Sequence, residues 1–415
     1  MTSPHIFTKK RFSRREFIKL TSGGLVLVSS SLWLPRSAWA ATVTRYVRIG
    51  SSGGDGTTNN TSGSTAAYAS LSAWASAEVT NLTTDGDSHI VYCDGTGGHD
   101  TTAVSISSSW NTGASNTLTI AGNTGTTPHD GTFDSGYVLD LNPGYDTACL
   151  TLDTNYVILQ DFEIEVGNGY SSYGIALEDC ANALIQRMLI YATTDGGYQY
   201  GILAYGGASS GGNQGATIQN SIFSSFGACA IWSGPQGWGP DHDFTCYSNS
   251  TVNIGGTTET SSEGHYFISA VSSDTYAFEV SNCLGGSSDG DAEFCAVDND
   301  AVLGDFSGDY NFNEDTTAPG ANSIDSGTVT TSTTPGAGTW AIVNSLTAGA
   351  ENMKLVDDSD SDVLEAGVSS GAGLPSDDVL GNTRGTSNYD IGAHQVSTAV
   401  AGSTPHLLSA TGAGA

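Results

Sequence analysis

A strand-like pattern recurs through the central part of the chain and constrains the fold more than any other feature of the sequence. In each copy an apolar or aromatic residue is followed by Gln or Ser and then by Asp, Arg or Asn. The copies begin 26, 33, 29 and 33 residues apart and are Val157–Asp161, Ala183–Arg187, Ala216–Asn220, Thr245–Asn249 and Phe278–Asn282. A repeat of this length is typical of a solenoid, in which each unit buries its face on the next.

The alternation of side chains along a strand gives this repeat a register. It predicts one inward column, formed by Leu159, Ile185, Ile218, Tyr247 and Val280, and an outward column of Gln and Ser. Asn220, Asn249 and Asn282 would then stack at a turn, where side-chain amides can hydrogen-bond to the bent backbone.

Two further strand-like segments flank each copy. One precedes it, as in Gly174–Leu177, and another follows it, as in Met188–Ile190. Three short strands per coil predict an all-β parallel β-helix. An antiparallel sandwich would instead need turn signals at intervals of about 8–12 residues.

The two ends of the solenoid are predicted to differ from its centre. Tyr68–Ala77 has Leu71, Trp74 and Ala75 on one helical face and is expected to form a short N-terminal capping helix. The expected regions of the mature chain are a cap with early coils over 41–145, central coils over 146–315, C-terminal coils with a closing motif over 316–397, and a disordered tail over 398–415.

Residues 1–40 have the features of an export signal. Ser13–Lys19 resembles the twin-arginine consensus, Gly23–Leu34 is an apolar stretch, and Ala38–Ala40 offers a cleavage site. We therefore expect export through the twin-arginine pathway to the periplasm or the cell exterior. The apolar stretch is too short for a good membrane span, so no membrane insertion is expected after cleavage.

The chain is strongly acidic, with a formal net charge of −31. Without residues 1–40, five Lys and Arg remain against 42 Asp and Glu. Such a surface repels nucleic acid and disfavours a polyanionic substrate in the absence of a metal ion. The seven cysteines lack zinc-site spacing and are expected to be mostly buried hydrophobic residues, with one disulfide left open as an alternative.

Three blocks of sequence resemble a group of exported, right-handed parallel β-helix proteins of the pectate-lyase-like type. They are Tyr46–Trp74, Ile120–Leu139 and the closing Gly381–Gln395, whose Asp390-Ile391-Gly392-Ala393 is the DIGA-type ending of this group. The resemblance implies a right-handed β-helix and is weak for function, because most members have no assigned activity and no catalytic motif of the group matches. Arg384 and Asp390 are expected to form a structural ion pair that closes the C-terminal end.

The longest insertion between strands, Trp232–Phe244, is the candidate for chemistry. Here His242 lies between Asp241 and Asp243, where flanking carboxylates would raise its pKa and suit it to act as general acid or base. Glu178 and Tyr205, from neighbouring coils, complete the candidate catalytic set. Glu178 and Asp241 would lie about 5–10 Å apart, within the range that paired-carboxylate glycosidases use.

Other residues around this insertion are candidates for binding. The candidate substrate-binding residues are Trp232, Trp238, Arg187, His265 and Tyr266. Indole rings stack on sugars, and Arg187 would either hold a uronate carboxylate or form a structural pair with Asp161. No cofactor is certain; if calcium is used, Asp241 and Asp243 are its expected ligands.

These features give two hypotheses about function. The first is an exported polysaccharide-active protein that cleaves a glycan as a lyase or a glycoside hydrolase. The alternative is a non-catalytic glycan-binding or adhesive surface protein. In both, the expected partner is a polysaccharide.

Overall fold

The computed structural model describes most of the chain after residue 40. The described residues are 41–123, 128–142, 147–167, 171–193, 199–205, 214–233, 242–252, 265–271, 276–286, 292–298, 306–313, 318–333, 335, 338–346, 352–357, 361–369, 374–384 and 389–396. The predicted signal (1–40), the tail (398–415), Asp241 and Trp238 lie outside these residues.

Most of the described strands belong to three parallel sheets. Sheet A contains β1 (Thr42–Arg48), β2 (Ser88–Asp94), β4 (Leu118–Gly122), β7 (Val157–Gln160), β10 (Ala183–Gln186), β13 (Gln214–Gln219), β16 (His242–Tyr247), β19 (Tyr276–Ser281) and β22 (Phe306–Ser307). Sheet B contains β5 (Val138–Leu141), β8 (Glu163–Val166), β11 (Leu189–Ala192), β14 (Ile222–Ser224), β17 (Ser250–Val252) and β20 (Leu284–Gly286). Sheet C contains β3 (Val104–Ile106), β6 (Thr147–Leu152), β9 (Ser172–Glu178), β12 (Gln199–Tyr205), β15 (Cys229–Ser233), β18 (His265–Val271) and β21 (Ala292–Asp298).

The remaining regular elements are few. A small sheet contains β23 (Thr328–Thr330), β24 (Trp340–Ser345) and β25 (Asn352–Leu355). The two α-helices in the described part of the chain are α1 (Leu71–Ala77) and α2 (Leu82–Asp85). The described chain is therefore mostly β, with parallel strands stacked in sheets, which agrees with the predicted all-β parallel β-helix. No helix among the described residues is long and apolar enough to cross a membrane.

The inward column follows the predicted register in four of its five positions. Leu159, Ile185, Ile218 and Val280 are fully buried, and the pairing of β7, β10, β13, β16 and β19 aligns them in one row. The fifth prediction was wrong, because Cys246 occupies the inward position and Tyr247 follows the Gln column. Since Cys246 and Tyr247 are adjacent and both apolar, alternation alone does not select between them.

The predicted turn column is also displaced in one coil. Residues in the left-handed region follow the strands of sheet A, and they are Asp161, Arg187, Asn220, Ser248 and Asn282. Asn220 and Asn282 thus share the turn as predicted, whereas Asn249 comes one residue later. Its side chain there donates to the Ile218 carbonyl at 2.8 Å and accepts from the Ser221 N–H at 2.9 Å.

Helix α1 confirms the predicted helix in this region, although it begins at Leu71 rather than Tyr68. The Ser70 side chain caps it by accepting from the Ala73 N–H, which satisfies a backbone donor that the helix leaves free. Leu71, Trp74 and Ala75 are buried as expected, and the Trp74 ring packs on Trp110 with centroids 5.2 Å apart.

The C-terminal segment, which comprises the described residues 374–384 and 389–396, packs on the outer face of sheet B. Its Ile391 and Ala393 share a hydrophobic cluster with Leu189, Ile222 and Leu284 from three strands of that sheet. This segment holds the closing motif next to the strands rather than beyond them.

The expected ion pair between Arg384 and Asp390 does not form between these two described side chains. Arg384 instead donates to the carbonyls of Asp377, Gly392 and Ala393 at 2.7, 3.0 and 3.0 Å. The Asp390 carboxylate accepts from the backbone N–H groups of Glu365 and Val396 at 2.7 and 2.6 Å. Both side chains therefore stabilise the backbone of the closing segment, and Arg384 also donates to the Asp390 carbonyl at 3.5 Å.

Candidate active site

The sequence-predicted site residues fall on two sheets. Glu178 ends β9 and Tyr205 ends β12, where the two residues are register partners in sheet C. Trp232 lies near the end of β15, and His265 and Tyr266 begin β18 of the same sheet. His242 and Asp243 begin β16 of sheet A. The structure gives no distance between the site residues on sheet C and those on sheet A, so the predicted catalytic set stays a prediction.

Strands β13 and β16 of sheet A line a shallow depression of about 250 Å³ near Asp243. The exposed Asp243 side chain is its described acidic group, and the lining residues are Ala181, Asn182, Gly215, Ala216, Thr217, Asp243 and Thr245. On sheet C, the half-buried Trp232 stacks on Tyr200 with ring centroids 5.1 Å apart, and Tyr200 in turn lies 5.7 Å from Tyr173. Of these three rings, only Trp232 was among the residues that the sequence indicated for sugar binding.

Arg187 forms ion pairs within the protein. It binds Asp161 through two hydrogen bonds of 2.6 and 2.9 Å and Asp377 through a third of 2.7 Å. The structural pair with Asp161 is confirmed. The guanidinium group also ties the C-terminal segment to the turn that follows β10, because Asp377 belongs to that segment.

A different group of side chains assembles on the outer face of sheet B. Leu139, Ile164 and Ile190 lie in the buried core, so their neighbours Asp140, Glu165 and Tyr191 point to the opposite face of the sheet. The pairing of β5, β8 and β11 places Asp140, Glu165 and Tyr191 directly side by side. Three consecutive strands thus supply two carboxylates and a phenol in one row.

His99 joins this row from an earlier segment of chain. It precedes Asp100, which forms an isolated parallel bridge with Leu139 next to Asp140. His99 Nδ1 lies 3.1 Å from Asp140 Oδ2 and 3.9 Å from Glu165 Oε2, and its Nε2 lies 2.7 Å from Asp134 Oδ1. We call His99, Asp134, Asp140, Glu165 and Tyr191 the His99 cluster.

The environment of the cluster shifts the pKa values of its members. Burial, followed by the charge of Asp140, raises the pKa of Glu165. Burial alone would lower the pKa of His99, but its hydrogen bonds to Asp140 and Asp134 outweigh that effect and raise it. The Tyr191 hydroxyl donates to Glu165 Oε2 at 3.1 Å, and burial raises the pKa of this phenol. The cluster therefore favours a cationic imidazole beside a carboxyl group that holds its proton unusually well.

The cluster remains in contact with solvent. The His99, Asp140 and Glu165 side chains are 32%, 34% and 16% exposed, and that of Asp134 is 71% exposed. The Phe133 ring stacks on Tyr191 with centroids 4.2 Å apart and forms an aromatic wall at one side. A ligand can thus reach the carboxylates, and an aromatic surface is adjacent to them.

The same residues have the composition of a metal site. One ligand atom from each of His99, Asp140 and Glu165 lies within 4.8 Å of the others. One imidazole and two carboxylates suit Mn²⁺, Fe²⁺ or Zn²⁺ better than Ca²⁺, which prefers ligands that are all oxygen. Asp134 would then orient the imidazole from behind, as outer ligands of metal sites do.

No protein-family model matches the chain, and comparison with curated proteins finds no match. Function must therefore be inferred from the chemistry of the site itself.

Sequence reasoning missed the His99 cluster. Glu165 and Tyr191 are 26 residues apart, which equals the spacing of the first two repeat copies. This equality was the available signal, since equal spacing in a solenoid brings side chains together. Asp140 and His99 precede the recognisable repeats, and no sequence pattern linked them to Glu165 and Tyr191.

Proposed function

We propose that this protein is an exported glycan-cleaving enzyme of the pectate-lyase-like group, built as a right-handed parallel β-helix with three short strands per coil. The order of strands supports the coil, because consecutive strands from β6 onward alternate through sheets C, A and B. Ser13–Lys19 supports twin-arginine export to the periplasm or the cell exterior. The closing Asp390–Gln395 supports the family.

The carboxylate pair formed by Asp140 and Glu165 carries the proposal for the reaction. Their nearest ligand oxygens lie within 4.8 Å of each other on an outer sheet face. Glycosidases that retain anomeric configuration use two carboxyl groups roughly 5–5.5 Å apart, whereas inverting enzymes need a wider gap to admit water. The pair therefore favours a retaining glycoside hydrolase. The acidic surface favours a neutral or weakly charged glycan as its substrate.

The roles follow from the environment of each carboxyl group. Burial and the charge of Asp140 raise the pKa of Glu165, which makes it the better proton donor of the pair, and it protonates the glycosidic oxygen as that bond breaks. Asp140, hydrogen-bonded to His99 at 3.1 Å, attacks the anomeric carbon and forms a glycosyl ester. The Glu165 carboxylate then takes a proton from water, whose oxygen attacks the same carbon and releases Asp140.

A panel of neutral, amino and uronate glycans tests this proposal. We expect new reducing ends without absorbance from an unsaturated product, and we expect activity to survive a chelator. Glu165→Gln and Asp140→Asn should each lower kcat about 10²–10⁴-fold. Glu178→Gln and Asp243→Asn are matched controls from the sequence-predicted site and should retain activity.

Each other outcome identifies a different reaction or site. Loss of activity in the two control variants alone would show that the active site contains Glu178 of sheet C and Asp243 of sheet A instead. Absorbance from an unsaturated product that requires calcium would identify a lyase, with Asp243 among the calcium ligands that the sequence indicated. Activity that a chelator abolishes and Mn²⁺ or Zn²⁺ restores would give His99, Asp140 and Glu165 a metal-binding role instead.

The aromatic rings on sheet C favour a second candidate, which is glycan binding without cleavage. Trp232 and Tyr200 are half-buried and stacked at 5.1 Å, and such rings pack well on sugar faces. Under this alternative, glycan binding persists in Glu165→Gln and is lost in Trp232→Ala, and no reducing ends appear with any glycan.

A further inference from the structure

Glu163 is a fully buried acidic residue that the proposed reaction does not use. It lies on the outer face of sheet B, beside the His99 cluster and two residues before Glu165. In the described part of the chain, the main influences on its pKa are burial and then hydrogen bonds from residues 134–136, and none of them is a cation. A carboxyl group buried without a counter-charge is costly, so its hydrogen bonds require an explanation.

All of these hydrogen bonds come from one loop, which we call the site loop and which comprises residues 129–137. Glu163 Oε2 accepts from the Asp134 N–H at 2.6 Å. Its Oε1 accepts from the N–H groups of Ser135 and Gly136 at 2.9 and 2.6 Å, and from the Ser135 hydroxyl at 3.3 Å. Three successive backbone donors thus converge on one carboxyl group, which makes a backbone nest for it.

The site loop carries one side chain of the His99 cluster, that of Asp134, and the aromatic wall beside it, which is Phe133. Asp134 contacts His99 Nε2 at 2.7 Å, and Phe133 stacks on Tyr191, whose hydroxyl donates to Glu165. Asp134 also has a φ of 64°, in the left-handed region, which a residue other than glycine adopts at some cost unless its surroundings hold it there. The bond between its N–H and Glu163 is one such constraint.

The start of the site loop is anchored without Glu163. His129 Nε2 lies 2.6 Å from the Arg187 carbonyl, and the Lys354 ammonium donates to the Asp130 carbonyl at 3.0 Å. The backbone N–H groups of residues 134–136 instead donate to Glu163, and Asp134 and the adjacent Phe133 are the loop residues that contact the cluster. Loss of Glu163 should therefore displace Asp134 and Phe133 while the start of the loop stays in place.

We propose that Glu163 is a positioning residue that fixes residues 133–136 of the site loop, and thereby sets Asp134 against His99 and Phe133 against Tyr191. The inference rests on the proposed function of the His99 cluster and adds the residue that assembles it. Glu163 acts only through the loop and does not touch the substrate.

Glu163→Gln is the sharpest perturbation. The glutamine oxygen can still accept from Ser135 and Gly136, but its NH₂ group would face the Asp134 N–H, so this one hydrogen bond is lost. Asp134 should then leave His99. Three carboxyl groups face His99, and they are Asp134 on the site loop, Asp140 on β5 and Glu165 on β8. The titratable group that faces Glu163 itself is Tyr191 on β11. With one carboxylate gone, the imidazole loses part of its stabilisation as a cation.

The first measurement is the NMR titration of His99 in the full chain, which requires no activity. We expect Glu163→Gln to move the titration midpoint of His99 down by about one pH unit, as Asp134→Asn should do. The double variant should show no further change, because both substitutions remove the same contact. Backbone amides of residues 134–136 should exchange with solvent faster in Glu163→Gln than in the unmodified chain.

The matched control is Asp390→Asn, another buried carboxylate that accepts from two backbone N–H groups, those of Glu365 and Val396. It should leave the His99 titration unchanged. An unchanged His99 midpoint in Glu163→Gln, with a lowered midpoint in Asp134→Asn, would overturn the proposal. A lowered midpoint in Asp390→Asn would overturn it too, because general loss of stability would then explain the effect.

Enzymatic assays extend the test and separate it from the proposed function. If the protein cleaves a glycan, Glu163→Gln should lower kcat about tenfold with little change in KM, and should shift the alkaline limb of the pH profile to lower pH. If no glycan is cleaved, the proposed reaction fails while the His99 titration still decides the role of Glu163.

Discussion

Replacement of Arg187 by methionine is a strong test of how the C-terminal segment is held. The guanidinium group makes three hydrogen bonds, two to Asp161 at 2.6 and 2.9 Å and one to Asp377 at 2.7 Å. Methionine fills a similar volume and makes none of them. Asp161, whose side chain is 11% exposed, would then remain without a counter-charge.

The magnitude follows from the burial of the pair. Removal of one partner from a fully buried ion pair costs roughly 3–5 kcal/mol. The side chains here keep exposed fractions of 14% for Arg187, 11% for Asp161 and 28% for Asp377, so water recovers part of that cost. We therefore expect Arg187→Met to lower the free energy of unfolding by about 2–4 kcal/mol.

Urea unfolding followed by circular dichroism measures this change through the midpoint and its slope. The partner variant Arg187→Met with Asp161→Asn should recover much of the loss, because it removes the unpaired charge and Asn tolerates the left-handed turn at this position. A change within about 0.5 kcal/mol, combined with weaker glycan binding, would refute the structural role. Arg187 would then be the substrate-binding residue that the sequence offered as an alternative.

Two further predictions concern titratable groups. Burial raises the pKa of Glu163 from its usual 4.5 to about 7, so its contribution to stability is fully present below about pH 4.5 and is lost as the pH rises through 7. Unfolding measured from pH 4.5 to pH 7.5 should show a loss of about 3 kcal/mol that Glu163→Gln lacks, and equal pH dependence in the two proteins would contradict this. The six cysteines whose side chains are described are all buried, and burial raises the pKa values of five of them, including that of Cys283 to about 12; the five are Cys93, Cys149, Cys180, Cys229 and Cys283. A thiol reagent should therefore modify at most one of the seven cysteines before unfolding, and faster reaction of several would contradict their burial.

The repeat could be predicted because inward positions require apolar side chains in every coil. Leu159, Ile185 and Ile218 are unambiguous, since each has a polar residue next to it on the outward side. The register failed by one residue at Thr245–Asn249, where Cys246 and Tyr247 both suit an inward position. Asn249 favoured the wrong alignment of Thr245–Asn249 with the other copies, because it is the same residue type as Asn220 and Asn282.

Asn249 in fact performs a different task from those two residues. Its amide bonds to Ile218 and Ser221, and Asn311 repeats the arrangement by donating to the Val280 carbonyl and accepting from the Cys283 N–H at 2.9 and 3.0 Å. The same residue type therefore serves two adjacent turn positions. Sequence spacing alone cannot separate them, because a shift of one residue preserves the composition of the turn.

The candidate site could not be predicted in the same way, because most of its residues lie before the repeat copies that the sequence shows or outside the strands. Only Glu165 and Tyr191 keep the repeat spacing. His99 arrives through an isolated bridge, and Asp134 comes from a loop whose path depends on Glu163. The Trp232–Phe244 insertion was predicted as the site from its composition. Composition gives the residue types in a segment but does not show which strands bring them together.

The location of the cluster follows from what covers sheet B. One outer column runs through Val138, Glu163, Leu189, Ile222, Ser250 and Leu284. Leu189, Ile222 and Leu284 pack against the C-terminal segment, and Ala393 donates from its N–H to the Ser250 hydroxyl at 2.9 Å. Glu163 in this column instead accepts hydrogen bonds from the backbone N–H groups of the site loop. Because the closing segment occupies the later coils, the neighbouring row at Asp140, Glu165 and Tyr191 is where this face can offer polar groups to a ligand.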